Sequence, residues 1–172
     1  MRPVLPGFAL AAACAALPLL ASCRSHDAAR ELAVSDIQTY WIVDSPQQGE
    51  NYVAPAVRFR LKNVSPYELG SVDARARFPA PDQGEEPWGS IQEQVSTWRQ
   101  PLLPGHDRVV TVRSAGRYHS AAEPEAILRS PAFKEHRVEI YVRIGASNWA
   151  LLGEAPVERR IGAPGVLDLA KP

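Results

Sequence analysis

The sequence predicts an all-β antiparallel sandwich of about seven strands with one short helix, and three observations lead there. Short runs alternate apolar and polar residues strictly, most clearly over 57–62 and 138–144. Turn chemistry supplied by 16 Pro and 11 Gly punctuates the chain roughly every ten residues. Long helical periodicity is missing, which disfavours a bundle.

The first 22 residues stand apart from this pattern. Met1–Arg2 gives a minimal positive start, and Val4 to Leu20 is apolar but broken by Pro6, Gly7 and Pro18, which reads as an export signal over 1–22. A run of about 17 residues falls short of the ~20 that a spanning helix needs. Cys14 leaves with that signal, so Cys23 is the remaining thiol and no internal disulfide is available. About 150 residues are left, enough for one core. Residues 23–31 are polar (RSHDAARE follows the cysteine) and read as a tether. The sandwich is expected over 32–162 and an irregular tail over 163–172.

Within the sandwich, Leu32 to Val43 reads as a first strand with a break or bulge near Ser35–Asp36, being rich in β-branched and aromatic residues. Pro55 to Asn63 alternates without fault, with Val57, Phe59 and Leu61 on one face and Arg58, Arg60 and Lys62 on the other. Asn63-Val-Ser-Pro-Tyr67 is a turn, because Asn and Ser bond their own backbone and Pro66 fixes φ. Leu69 to Phe78 alternates again, with Val72, Ala74, Ala76 and Phe78 opposite Asp73, Arg75 and Arg77. A hairpin between these two strands is the natural pairing. Pro79 to Pro87 is a polar loop.

The segment Trp88 to Trp98 is ambiguous, since Ile91, Val95 and Trp98 fit a helix while Ile91, Glu93, Val95 and Thr97 fit a strand; strand is preferred. Pro101 to Gly105 turns into a strand over Arg108 to Arg113, which Ser114 to Tyr118 closes. Ser120 to Pro131 carries the helix, with Pro124 in its first turn, Glu123 and Glu125 at the positive end of its dipole and Pro131 as its stop. Val138 to Ile144 alternates, Gly145 to Asn148 turns, and Trp149 to Leu152 begins a return strand that Pro156 interrupts before Val157 to Ile161. The expected centre of the core is Val57, Phe59, Leu61, Val72, Phe78, Val110, Val138, Ile140 and Val142. Seven strands at this spacing are the pattern of an immunoglobulin-like sandwich.

Two resemblances add to this. Leu20-Ala-Ser-Cys23 matches the lipobox of bacterial lipoproteins, which implies lipidation of Cys23 and a durable envelope anchor. Arg24, standing where many inner-membrane lipoproteins carry Asp, favours the outer membrane. The run Val57 to Ser65, the strand Val72 to Phe78, Leu103-Pro-Gly105 and Gly116-Arg-Tyr118 together resemble extracytoplasmic immunoglobulin-like domains of the FxLYD type. That resemblance implies an accessory module without an active site.

Charge and motif content agree. The chain has 19 Lys and Arg against 19 Asp and Glu, which excludes a polybasic nucleic-acid binder and an acidic disordered tail. His26, His106, His119 and His136 lack metal-ligand spacing, so no metal or other cofactor is expected. No nucleophile elbow, P-loop or dinucleotide fingerprint occurs. Glu85-Glu86 reads as a charged loop tip and His106-Asp107 as a solvated turn, so an enzyme is not expected.

Recognition falls instead to aromatic and basic residues. Trp41 and Trp149 read as core or core edge. Trp88 and Trp98 bracket a candidate recognition strand, an edge open to a partner strand. If the hairpin forms, Arg58, Arg60, Lys62, Arg75 and Arg77 project together as a basic face, either neutralised by acids such as Glu139 or offered to an anionic partner. The expected function is a non-catalytic, lipid-anchored, periplasm-facing envelope module that docks another protein. The alternative is a carbohydrate- or peptidoglycan-binding module, which needs Trp88 and Trp98 exposed and roughly coplanar.

Overall fold

The computed structural model describes residues 25–79 and 87–162. The expected signal, Cys14, Cys23, the Glu85-Glu86 pair and the tail over 163–172 lie outside them. Two antiparallel sheets pack face to face, making an all-β sandwich. Its elements are α1 (Ala28–Glu31), β1 (Leu32–Gln47), β2 (Glu50–Asn63), β3 (Val72–Phe78), β4 (Trp88–Gly89), β5 (Glu93–Ser96), β6 (Asp107–Arg113), β7 (Tyr118–Ser120), α2 (Pro124–Arg129), β8 (Arg137–Ile144) and β9 (Ala150–Pro156). The first sheet runs β1-β2-β6, with β7 extending the β6 side of β2; the second runs β4-β3-β8-β9, with β5 beside β4 on β3.

Each inward row is the apolar half of an alternating run. Val57, Phe59 and Leu61 of β2 face Val72, Ala74, Ala76 and Phe78 of β3 and Val138, Ile140 and Val142 of β8, with Val110 and Val112 of β6 alongside, all buried in one cluster. All nine residues expected at the centre of the core are in it. The foreseen irregularity of β1 is a register shift between Ser35 and Gln38. Asp36 adopts φ +53 there, a left-handed conformation that Asp tolerates because its short carboxylate finds local partners. Here the partner is Arg60 Nε at 3.0 Å.

The turn after β2 is built by Asn63, which is fully buried. Its amide donates to Tyr67 O at 2.6 Å and Leu102 O at 2.8 Å, and its Oδ1 accepts from Ser65 N at 2.9 Å and Ser65 Oγ at 2.8 Å. One side chain thereby ties the β2–β3 connection to the β5–β6 connection.

β2 and β3 are not a hairpin: β2 pairs β1, β6 and β7, whereas β3 pairs β4, β5 and β8. Alternation fixes which face turns inward, and both arrangements satisfy it. Hairpin strands are most often joined by turns of about two to five residues, and the longer segment 64–71 instead arches from one sheet to the other, fastened midway by Leu69 and Leu102 through paired backbone bonds of 3.1 and 3.0 Å. Nine strands stand among the described residues where about seven were expected, because the 88–98 run divides into β4 and β5 and the short β7 carries little alternation. No helix forms in that run.

Residues 157–161 form no strand of their own; they lie along β1, where Trp41 N donates to Arg160 O at 2.8 Å. Residues 28–31, expected to belong to a polar tether over 23–31, instead form α1 and pack on the sandwich. Asp27 caps α1 by accepting from Ala29 N at 3.0 Å, and Ala28 and Leu32 are buried in the core. The foreseen helix is α2, with Pro124 in its first turn and Arg129 in its last.

Candidate interaction surfaces

With β2 and β3 in different sheets, the five cations cannot form one basic face. Arg58, Arg60 and Lys62 point out from the first sheet and Arg75 and Arg77 from the second, on opposite sides of the core. Partners take up most of the charge. Arg60 Nη1 donates to Asp107 at 2.7 Å and its Nε to Asp36 at 3.0 Å. The hydrogen bond to Asp107, then that to Asp36, raises its affinity for its proton above arginine's ordinary value. Arg77 lies 3.7 Å from Glu139, the neutralising acid foreseen from the sequence. Arg75 stacks over Trp149 at 4.3 Å and reaches Tyr141 at 5.6 Å. Arg143 approaches the same indole at 4.7 Å and binds Asp73 at 3.0 Å.

The tryptophans divide four ways. Trp41 is fully buried, and its indole meets Phe133 edge-on at 4.8 Å and His136 at 5.7 Å. Trp149 is not core: it is half-buried on the outer face, held between two guanidinium groups. An indole beside cations gains from both its face and its area, and strand position alone does not separate that from burial. Trp88 is half-buried and packed against the core, with Tyr118 at 5.0 Å and His136 at 4.7 Å. A Cβ at Gly116 would sit 2.4 Å from its ring, so glycine is what lets the indole lie down there. Trp98 alone of the four stands clear, 78% exposed, with Arg99 4.7 Å from its ring. The coplanar exposed pair that glycan stacking requires is absent.

His136, which the sequence marks only as lacking metal-ligand spacing, takes a structural place. It is buried and shares a 3.0 Å hydrogen bond between Nε2 and the Tyr118 hydroxyl. A lone histidine before a strand carries no periodic signal. No group of three or more His, Cys, Asp or Glu side chains among the described residues could hold a metal ion, and none of their helices is long and apolar enough to cross a membrane.

The two long edges of the sandwich differ. On the β1–β9 side, residues 156–162 close the gap: Thr39 Oγ1 donates to Pro156 O at 2.9 Å and accepts from Glu158 N at 3.0 Å, and Gly162 N donates to Trp41 O at 2.9 Å. On the other side, β6 and β5 lie next to each other across a cleft of about 150 Å³ lined by Glu93, Gln94, Val95 and residues 108–111. Arg108 stitches one end, donating to Val95 O and to Gln100 O at 3.0 Å. At the other end Ala115 N donates to Gly89 O at 2.8 Å.

Between these ties the backbone direction of β6 follows from its neighbours. Ser114 N donates to Pro55 O and Asn63 N to His106 O, so even-numbered residues turn their backbone toward β2, while Val109, Thr111 and Arg113 turn theirs outward. The 88–98 run does lie at a sheet edge, as the sequence suggests, but the open backbone row belongs to β6. Larger grooves flank residues 157–161, with volumes of about 520 and 580 Å³; two arginines there are already paired, Arg159 to Glu135 at 3.4 Å and Arg160 to Glu158 at 2.6 Å.

No family model and no curated protein matches the chain. Among solved structures, Bacteroides uniformis beta-glucuronidase 2 aligns at TM-score 0.40 and 16% identity over 73% of this chain, which spans 12% of the glucuronidase. The Northeast Structural Genomics Consortium target SoR45 aligns at 0.41 and 9% identity, covering 84% of this chain and 96% of that one. A protein from Archaeoglobus fulgidus aligns at 0.35 and 12% identity, covering 72% and 95%. Likeness this distant carries no argument about activity.

Proposed function

We propose that the chain is a non-catalytic lipoprotein of the bacterial envelope, anchored through Cys23 with the outer membrane favoured, whose sandwich docks another envelope protein along the open β6 edge. The observation that carries this is the inequality of the two edges. A row of unpaired N–H and C=O groups invites strand addition, and folded chains usually blunt such rows. Here residues 156–162 cover the middle of β1 at Thr39 and Trp41 on one side, while the exposed Val109, Thr111 and Arg113 turn their backbone outward on the other. The lipobox Leu20-Ala-Ser-Cys23 supports the anchor.

Two experiments test the reading. Cys23→Ala should release the protein from membranes and abolish fatty-acid labelling; equal labelling of both forms would remove the anchor. Thr111→Pro deletes an outward N–H without touching a bond to β2, so it should leave thermal stability nearly unchanged while proteins crosslinked to the wild-type edge in envelopes are lost. Recovery of the same crosslinked proteins in the same amounts would move docking away from β6.

A further inference from the structure

Eight large apolar side chains are exposed among the described residues, and four of them, Val64 (51%), Tyr67 (45%), Trp98 (78%) and Leu103 (38%), sit on two loops at one end of the sandwich. These loops are 64–71, between β2 and β3, and 97–106, between β5 and β6. They form one platform rather than two independent tips. The Leu69–Leu102 backbone pair joins them, the Asn63 amide bonds carbonyls of both, and Leu69 and Leu102 are buried beneath. Gly70 lies against the backbone of Trp98, where an added Cβ would be 3.4 Å from Cα.

The polypeptide enters the sandwich at this same end. Glu31 O accepts from Val64 N at 2.9 Å, and Cys23 precedes Glu31 by only eight residues. α1 accounts for four of these at ~1.5 Å each and the rest can add at most ~3.5 Å each. Covalent length therefore holds Cys23 within roughly 20 Å of the platform. The fourteen residues of β2 span roughly 45 Å, so the far end of the sandwich is out of the anchor's reach.

We propose that this platform is a membrane-contact face, with Trp98, Tyr67, Val64 and Leu103 seated at the phospholipid headgroup level of the leaflet that holds the anchor. The proposal rests on the reading of Cys23 as lipidated. Trp and Tyr favour this depth because an apolar ring and a polar edge are satisfied together. Arg99 over Trp98 and the largely exposed Arg30, which lies 3.3 Å from an Asp27 carboxylate, can reach lipid phosphates while their stems stay among apolar groups. Contact through the platform stands the sandwich on end and presents the β6 edge sideways, clear of the bilayer.

The test uses the full chain, processed in a bacterial host and reconstituted into phosphatidylethanolamine–phosphatidylglycerol vesicles whose acyl chains are brominated near the headgroup. Emission attributable to Trp98, taken as wild type minus Trp98→Phe, should lose most of its intensity relative to unbrominated vesicles. Equal fractional quenching of wild type and Trp98→Phe in protein that floats with vesicles and carries acyl groups by mass spectrometry overturns the membrane face and leaves the anchor standing. Absence of acyl groups with no flotation overturns the anchor and the face together. Shielding of Trp98 that needs added envelope protein assigns the platform to a protein partner and overturns the proposal.

Discussion

Phe59→Ala is expected to cost about 3–5 kcal/mol, as removal of a fully enclosed aromatic ring does when the surroundings collapse only in part. Phe59 lies at the middle of β2, between β1 and β6 in the first sheet, and its side chain is 1% exposed. Its β6 partner Val110 and the facing strands of the other sheet are fixed by long ladders, so little can move into the void from those sides, although β1 is irregular opposite it between Ser35 and Gln38. A domain of this size has roughly 5–15 kcal/mol in total, and the described residues contain no cysteine to supplement it. The measurement is a urea titration, in which the midpoint should fall sharply at nearly constant slope. An unchanged midpoint would mean that β2 presents its other face to the core.

Asn63→Ala should cost about 2–4 kcal/mol, because it removes four hydrogen bonds of a buried side chain worth ~0.5–1.5 kcal/mol each and leaves Ser65 N without its acceptor, while the Tyr67 and Leu102 carbonyls keep Ser65 Oγ and Leu69 N as donors. Asn63→Asp separates the two roles of this side chain. It keeps the acceptor for Ser65 but sets a carboxylate against the Tyr67 and Leu102 carbonyls, so it should be at least as damaging as alanine. Ser65→Ala, which removes a single hydroxyl, should cost about 1 kcal/mol. If thermal melts rank Asn63→Asp as the mildest of the three, the amide is not the clamp between the two connections.

Where one backbone pattern has one physical solution, the sequence could be read. Val138 to Ile144 and Val57 to Leu61 alternate, a side chain in a strand has two sides to choose from, and the core followed. The Asn63–Ser65 turn was legible because its chemistry is local. Partner choice was not. Nothing within β2 or β3 distinguishes a hairpin from an arch, since the deciding contact, Leu69 with Leu102, is made by residues more than thirty positions apart. That error carried the basic face with it. The indoles were hard for another reason: Trp41 is enclosed, Trp149 is clamped by Arg75 and Arg143, Trp88 rests on Gly116, and Trp98 is bare, although each sits at or beside a strand. Aromatic burial depends on what arrives from elsewhere in the chain. Arg108 fastens the open edge and His136 packs between the sheets, and neither belongs to a motif.

The arch between β2 and β3 also bears on the order in which the fold can assemble. β1 and β2 meet across a tight turn at Gln48–Gly49, so their long ladder closes almost no loop. One edge of β3 can take β4 and β5 early, but its other edge must wait for β8, whose partner residues lie roughly 60–70 positions downstream, and closing so long a segment rather than a four-residue turn costs about 2.4 kcal/mol more in chain entropy. A chain folding from its amino end would therefore hold a finished β1–β2 hairpin, and a β3 with one edge still unpaired, until its last third was available. During that interval Asp73, Arg75 and Arg77, charges spaced along the other face of β3, serve as gatekeepers against premature self-pairing.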